Sequence, residues 1–231
     1  MFQREVATDP AIVDEWEAGV GWIAHPDESG LRASYAFAFD DGVWLVDPLD
    51  AAGIGDRIDA LGAVVGVMVC SSWHARDADV FATRYDVPIS IHESMRRIED
   101  LTEAPIRRYG STLDDAGVRV FDRHPFPLAD EAILFHDRTG TLYAPDTLGT
   151  TPDHTVGGER IGFEPFTRLS PPTELLDLQP SRICCGHGEG ISSGATAALE
   201  DAITNGRRRF PRAVVANGPG RMRIAIAAVR R

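Results

Sequence analysis

The chain has 231 residues, of which 43% are hydrophobic, and a formal net charge of −12; this is enough apolar content for one sizeable core, so a single domain spanning 1–231 is expected. The acidic balance excludes nucleic acid and anionic membranes as partners for most of the surface. No run approaches the roughly 20 apolar residues that span a bilayer, the N-terminus lacks a basic region followed by an apolar stretch, and three cysteines, two of them adjacent, do not make a disulfide framework, so a cytoplasmic location is expected.

In chain order, residues 1–30 read as an N-terminal extension. Alternation of Tyr35, Phe37 and Phe39 with small residues predicts a strand over Leu31–Phe39, and Asp40-Asp41-Gly42 a turn into a second strand, Val43–Val46. Ile54, Ile58 and Leu61 fall at helical spacing within Ala51–Leu61, and the valine-rich run Val64–Val69, without a polar side chain, predicts a strand covered on both faces. A helix over Asp79–Tyr85 and a short strand over Val87–Ile91 follow. Val118–Phe121, Ala132–Phe135 and Thr141–Ala144 read as three strands, the last two joined by a turn at Arg138-Thr139-Gly140. Arg182–Cys184 reads as the final strand, and Gly194–Asn205 as a helix closed by Gly206. Thr147–Ser170 is the longest loop and is expected to border a site. Beyond Asp201 there is no acidic residue, while Arg207, Arg208, Arg209, Arg212, Arg221, Arg223, Arg230 and Arg231 make 207–231 a basic C-terminal segment.

The residues that carry chemistry stand at strand ends. Asp47 closes Val43–Val46, and Cys70-Ser71-Ser72-Trp73-His74-Ala75-Arg76-Asp77-Ala78 follows Val64–Val69. Asp146 follows Thr141–Ala144, and Gly186-His187-Gly188 follows the last strand. This order of strand-Asp, strand-His loop, strand-Asp and strand-Gly-His-Gly resembles the metallo-β-lactamase fold superfamily, over about Leu31 to Arg209. The resemblance implies an α/β protein built as a four-layer αββα sandwich, with its site at one edge between two sheets. In that family a Thr-His-x-His-x-Asp-His run supplies four metal ligands. Laid on it, Ser71 takes the place of the Thr, Ser72 of the first His, His74 of the second, Arg76 of the Asp and Asp77 of the last His. The next family ligand falls near Pro127, and His124 reaches that place only with a three-residue shift. Asp146 matches the family's bridging carboxylate and His187 its final ligand, while Asp47 sits where the family has a structural Asp.

His74, Asp77, Asp146 and His187 therefore remain as the metal set the resemblance implies, suited to one zinc, iron or manganese ion. The expected function is a mononuclear hydrolase of a small ester, thioester or phosphodiester, with Asp77 or Asp146 taking the proton from water. The alternative is a metal-free binding or structural member in which Arg76, always charged, neutralises Asp77 and Asp146 in place of a cation. The substrate or ligand is an unidentified small molecule on either reading. His25, His92, His136 and His154 have no motif around them and read as surface or locally bonded residues, with His124 the one worth testing. Cys184 and Cys185 read as core residues on opposite faces of a strand.

Overall fold

The computed structural model describes residues 5–126 and 129–229. Two sheets face each other. The first has seven strands in chain order: β1 (Ala11–Trp16), β2 (Gly19–Ile23), β3 (Ala33–Ala38), β4 (Val43–Val46), β5 (Val64–Val69), β6 (Ile89–His92) and β7 (Ile106–Tyr109). Its first four strands are antiparallel neighbours, and β4 to β7 run parallel. The second sheet follows the order β12-β11-β10-β9-β8, built from β8 (Thr112–Leu113), β9 (Val118–Phe126), β10 (Ala129–His136), β11 (Thr141–Ala144) and β12 (Arg182–Cys185).

Period-two alternation assigns each side chain of the second sheet to one of two cores. Ala132, Leu134, Tyr143 and Cys184 join Tyr35, Phe37, Trp44 and Val67 of the first sheet in the larger core. Ile133, Phe135, Leu142, Ala144, Ile183 and Cys185 face the other way, toward Leu199, Ala202 and Ile203 of helix α3 (Ala195–Val229). Helices α1 (Ile54–Leu61) and α2 (Ala78–Tyr85) bury Ile54, Ile58, Phe81 and Ala82 in the larger core with the first sheet. The layers are thus helix, sheet, sheet, helix. Cys184 and Cys185 point to opposite faces as adjacent strand residues must, and both are buried free thiols. No helix among the described residues is long and apolar enough to cross a membrane.

Two expectations are corrected here. Residues 11–23 are not an appendage: β1 and β2 form a hairpin that extends the first sheet, and every residue of β2 is buried. Helix α3 does not stop at Gly206, because that glycine lies against Phe163, where even a Cβ would sit in ordinary contact at 3.5 Å. Ala213, a further two turns along, is buried as well. Tertiary packing overrides the intrinsic helix-ending tendency of glycine. Arg230 and Arg231 of the basic segment lie outside the described residues.

Candidate metal centre

Strands β4 and β5 run parallel, as do β11 and β12, so the C-terminal ends of each pair emerge at one edge. The two sheets are stitched together there. Ala33 N–H donates to the Gly186 carbonyl at 2.9 Å, and short bridges join Arg32 to His187 and Ser71 to Glu131. Gly186 is required for the approach, since a Cβ on it would lie 2.2 Å from the Pro145 carbonyl oxygen. Among the described residues, three of the four non-glycines in left-handed backbone, Leu31, Asp47 and Arg76, stand in the loops of this edge. Such conformations cost of order 1 kcal/mol or more each and persist because the surrounding bonds over-determine them.

His74, Asp146 and His187 converge. Their ligating atoms all lie within 4.8 Å of one another, with Asp146 Oδ1 at 3.1 Å from His74 Nε2 and 3.0 Å from His187 Nε2. Each imidazole is held from behind. His74 Nδ1 meets Asp47 Oδ2 at 2.9 Å, and His187 Nδ1 meets the Gly30 carbonyl at 2.7 Å. The second carboxylate oxygen of Asp146 accepts the Ser71 hydroxyl at 2.7 Å. Asp47 is wholly buried and fully used: Oδ1 accepts Cys70 N–H at 2.8 Å, while Oδ2 also accepts the Tyr143 hydroxyl at 2.5 Å.

The charges lock together. Burial would raise the Asp146 carboxyl, yet the flanking His74 and His187 imidazoles outweigh it and hold it well below the usual carboxylate range. Burial and the Arg76 guanidinium push His74 down, but the carboxylates of Asp146 and Asp47 prevail and raise it. The donor set fits one ion. Donors bonded to a common metal at about 2.0–2.2 Å stand roughly 3 Å apart, and a backing acceptor on Nδ1 turns the Nε2 lone pair inward, the pattern of metal-binding histidines.

The fourth expected ligand stands apart. Asp77 opens α2, its Oδ2 accepting Asp50 N–H at 2.7 Å, and it is not part of the converging group. The Arg76 pairing with carboxylates is likewise corrected: the guanidinium donates to three main-chain carbonyls, of Ala33 at 2.5 Å, Asp47 at 2.8 Å and Gly186 at 3.2 Å. Its left-handed backbone, φ 43°, turns the side chain along the sheet edge, and among the described residues it forms no ion pair with a carboxylate. Its charge stays near the site all the same, with Nη2 at 3.4 Å from His74 Nε2. His124 is far from any such role, exposed and paired with Asp122 and Asp130, and Pro127 lies outside the described residues.

Two residues had no sequence signal. His154 is 2% exposed, stacked on His187 with ring centroids 5.9 Å apart, and its Nε2 lies 3.2 Å from the Asp146 carbonyl. Glu131 is buried on β10 and grips the segment that follows Asp146, its Oε2 accepting Thr147 N–H at 2.9 Å and the Thr147 hydroxyl at 2.6 Å. Burial, then the Asp146 charge, raise its carboxyl from 4.5 to about 8. The folded state thus keeps a proton that the unfolded chain releases, so the contribution of Glu131 to stability is full below pH 4.5 and falls as pH rises toward 8. In Glu131→Gln that decline is expected to shrink in urea unfolding measured at pH 5 and pH 8, leaving the part that the raised His74 contributes; an unchanged decline would place its origin elsewhere.

No protein-family model and no curated protein matches the sequence. Solved structures do match its fold. DIM-1 metallo-β-lactamase exposed to ceftazidime superposes with a TM-score of 0.62 at 14% identity, covering 88% of this chain and 99% of that one. FIM-1 metallo-β-lactamase from Pseudomonas aeruginosa in its mono-zinc form gives 0.58 at 11% identity, covering 90% and 99%. TTHA1623 in a di-iron-bound form gives 0.51 at 18%, covering 72% and 92%.

Proposed function

We propose that this chain, which has the metallo-β-lactamase fold, is a mononuclear metal-dependent hydrolase of a small ester, thioester or phosphodiester, with His74, Asp146 and His187 holding one zinc, iron or manganese ion. The observation that carries the reading is the backing of both imidazoles, by Asp47 and by the Gly30 carbonyl, which leaves two Nε2 atoms aimed at Asp146. When bound to two histidines and one carboxylate, such an ion acidifies water and stabilises a developing oxyanion.

The chain's own groups supply the rest. Of the two carboxylates expected to take the proton, Asp146 is the one that stands in the converging group and stays ionised to unusually low pH, while Asp77 lies outside it on Asp50 N–H. Ser71 holds Asp146 Oδ2 and fixes which oxygen faces the imidazoles. Arg76, where the family has a ligand for a second ion, offers none, because a guanidinium only donates, and it is spent on main-chain carbonyls. The three buried free thiols support a reducing, cytoplasmic setting.

The test is metal content by mass spectrometry on untagged protein prepared without chelator and offered zinc, iron and manganese in turn. About one ion per chain is expected, retained in Asp77→Asn and lost in His74→Ala and His187→Ala. Absence of metal under every condition would sink the hydrolase and leave the metal-free binding or structural reading, with a His74 imidazolium between Asp47 and Asp146 in the part first expected of Arg76.

A further inference from the structure

The loop that carries His74 also carries Trp73, whose side chain is out of keeping with its size. It is 49% exposed, whereas Trp22 and Trp44 are buried. A guanidinium covers it: Arg97 lies 4.0 Å above the ring centroid, close enough for a cation–π contact. Arg96 and Arg97, with Ser94 and Asp130, line a cavity of ≈ 400 Å³.

Charge makes the pair unusual. The chain holds 35 acidic residues against 23 arginines, and other exposed arginines have found carboxylates, as in Arg57 with Glu15, Arg119 with Asp137 and Arg138 with Asp40. Among the described residues neither Arg96 nor Arg97 has an ion pair. The one carboxylate on the cavity wall is already engaged, since Asp130 Oδ1 meets His124 Nδ1 at 2.9 Å. Ser94 is turned away toward Asp122, 2.9 Å from its hydroxyl.

The cavity is fastened to the metal centre through adjacent residues of one loop. Ser72 N–H donates to the Asp130 carbonyl at 2.9 Å, and Asp130 N–H returns a bond to the Ser72 hydroxyl at 3.0 Å. Ser71, its neighbour, holds Asp146. We infer that this cavity binds an oxyanion, carboxylate or phosphate, carried by the substrate at the end away from its scissile bond. Arg96 and Arg97 supply forked donors, and Trp73, outside the lining, braces Arg97 through the ring contact at 4.0 Å. That the anion belongs to a substrate rests on the hydrolase reading; the anion site rests on its own residues.

The experiment uses the full chain after chelator treatment, so that it does not depend on metal. Glutarate and methyl phosphate are titrated against tryptophan emission, with neutral glutaramide as the control. A saturable response to either anion, none to glutaramide, and loss of the signal in Trp73→Phe are expected. Response to glutarate alone names a carboxylate, and response to methyl phosphate alone names a phosphate. In Arg96→Gln/Arg97→Gln the affinity should fall about tenfold or more, and salt should weaken binding to the unmutated chain. That double variant should keep its metal content and unfolding midpoint, which separates this site from the metal centre. No response to either anion, or an equal response in the double variant, overturns the inference. Anion binding by a chain that takes no metal would discard the hydrolase and keep the anion site.

Discussion

Asp47→Asn is expected to lower metal affinity roughly 10–100-fold while the chain remains folded. The cause is a tautomer. Asp47 Oδ2 accepts from both His74 Nδ1 and the Tyr143 hydroxyl, and Oδ1 accepts Cys70 N–H. An asparagine can keep its oxygen on Cys70 N–H, but its amide nitrogen then faces His74 and can only donate. His74 Nδ1 must become the acceptor, so its proton moves to Nε2, the atom aimed at Asp146. A protonated Nε2 cannot ligate. Tyr143 can turn its hydroxyl to accept from the new amide, which limits the cost in stability. The measurements are metal affinity by competition with a chromogenic chelator and the His74 tautomer by nitrogen NMR. Unchanged affinity with a switched tautomer would mean that His74 is not a ligand.

The elements that were legible in the sequence are those whose burial is written in the side-chain pattern. Tyr35 and Phe37 alternate with small residues because their face of β3 packs on Tyr143 of the second sheet, while Ala36 is buried on the other face, and Val67 to Val69 are unbroken because β5 is covered on both faces. The hairpin β1–β2 was hidden by its glycines. Gly21 is there for the Tyr35 ring, where a Cβ would lie 2.4 Å from a ring carbon, so packing has removed the residues that mark a strand. β7 was hidden by its charges, since Arg107 and Arg108 point outward from the sheet's last strand.

The site divides in the same way. His74, Asp146 and His187 could be read because each follows a strand in a fixed order, and strand ends at one sheet edge come together. Asp77 follows the same rule and fails it, because the chain turns at Arg76 through left-handed backbone and re-enters a helix with the carboxylate on Asp50 N–H. Glu131 and His154 had no local pattern, since each reaches the site through a partner distant in sequence or through the fold of the 147–170 loop.

That loop is held by a buried ion pair whose loss should be the largest single destabilisation in the chain. The side chains of Arg168 and Glu159 are both 0% exposed, and the guanidinium meets the two carboxylate oxygens at 2.8 and 2.7 Å. Arg168 also donates to the His154 carbonyl, and Glu159 accepts Val156 N–H at 2.8 Å and Arg209 at 3.2 Å. Removing one partner of a buried pair strands the other charge out of water and costs about 3–5 kcal/mol. Glu159→Gln should show this in full, because Arg168 then has only a carbonyl and a neutral amide. Arg168→Met should cost less, since Arg209 still faces Glu159. Replacing both, as Arg168→Met with Glu159→Gln, should recover part of the loss, because no uncompensated charge stays inside. Urea unfolding of the three variants measures the order. If Glu159→Gln costs under about 1 kcal/mol, water reaches the pair and the loop is not held by it. If the order holds, the same charges that anchor the loop also set His154 against His187, and proteolysis within 150–166 should quicken in step with the lost stability.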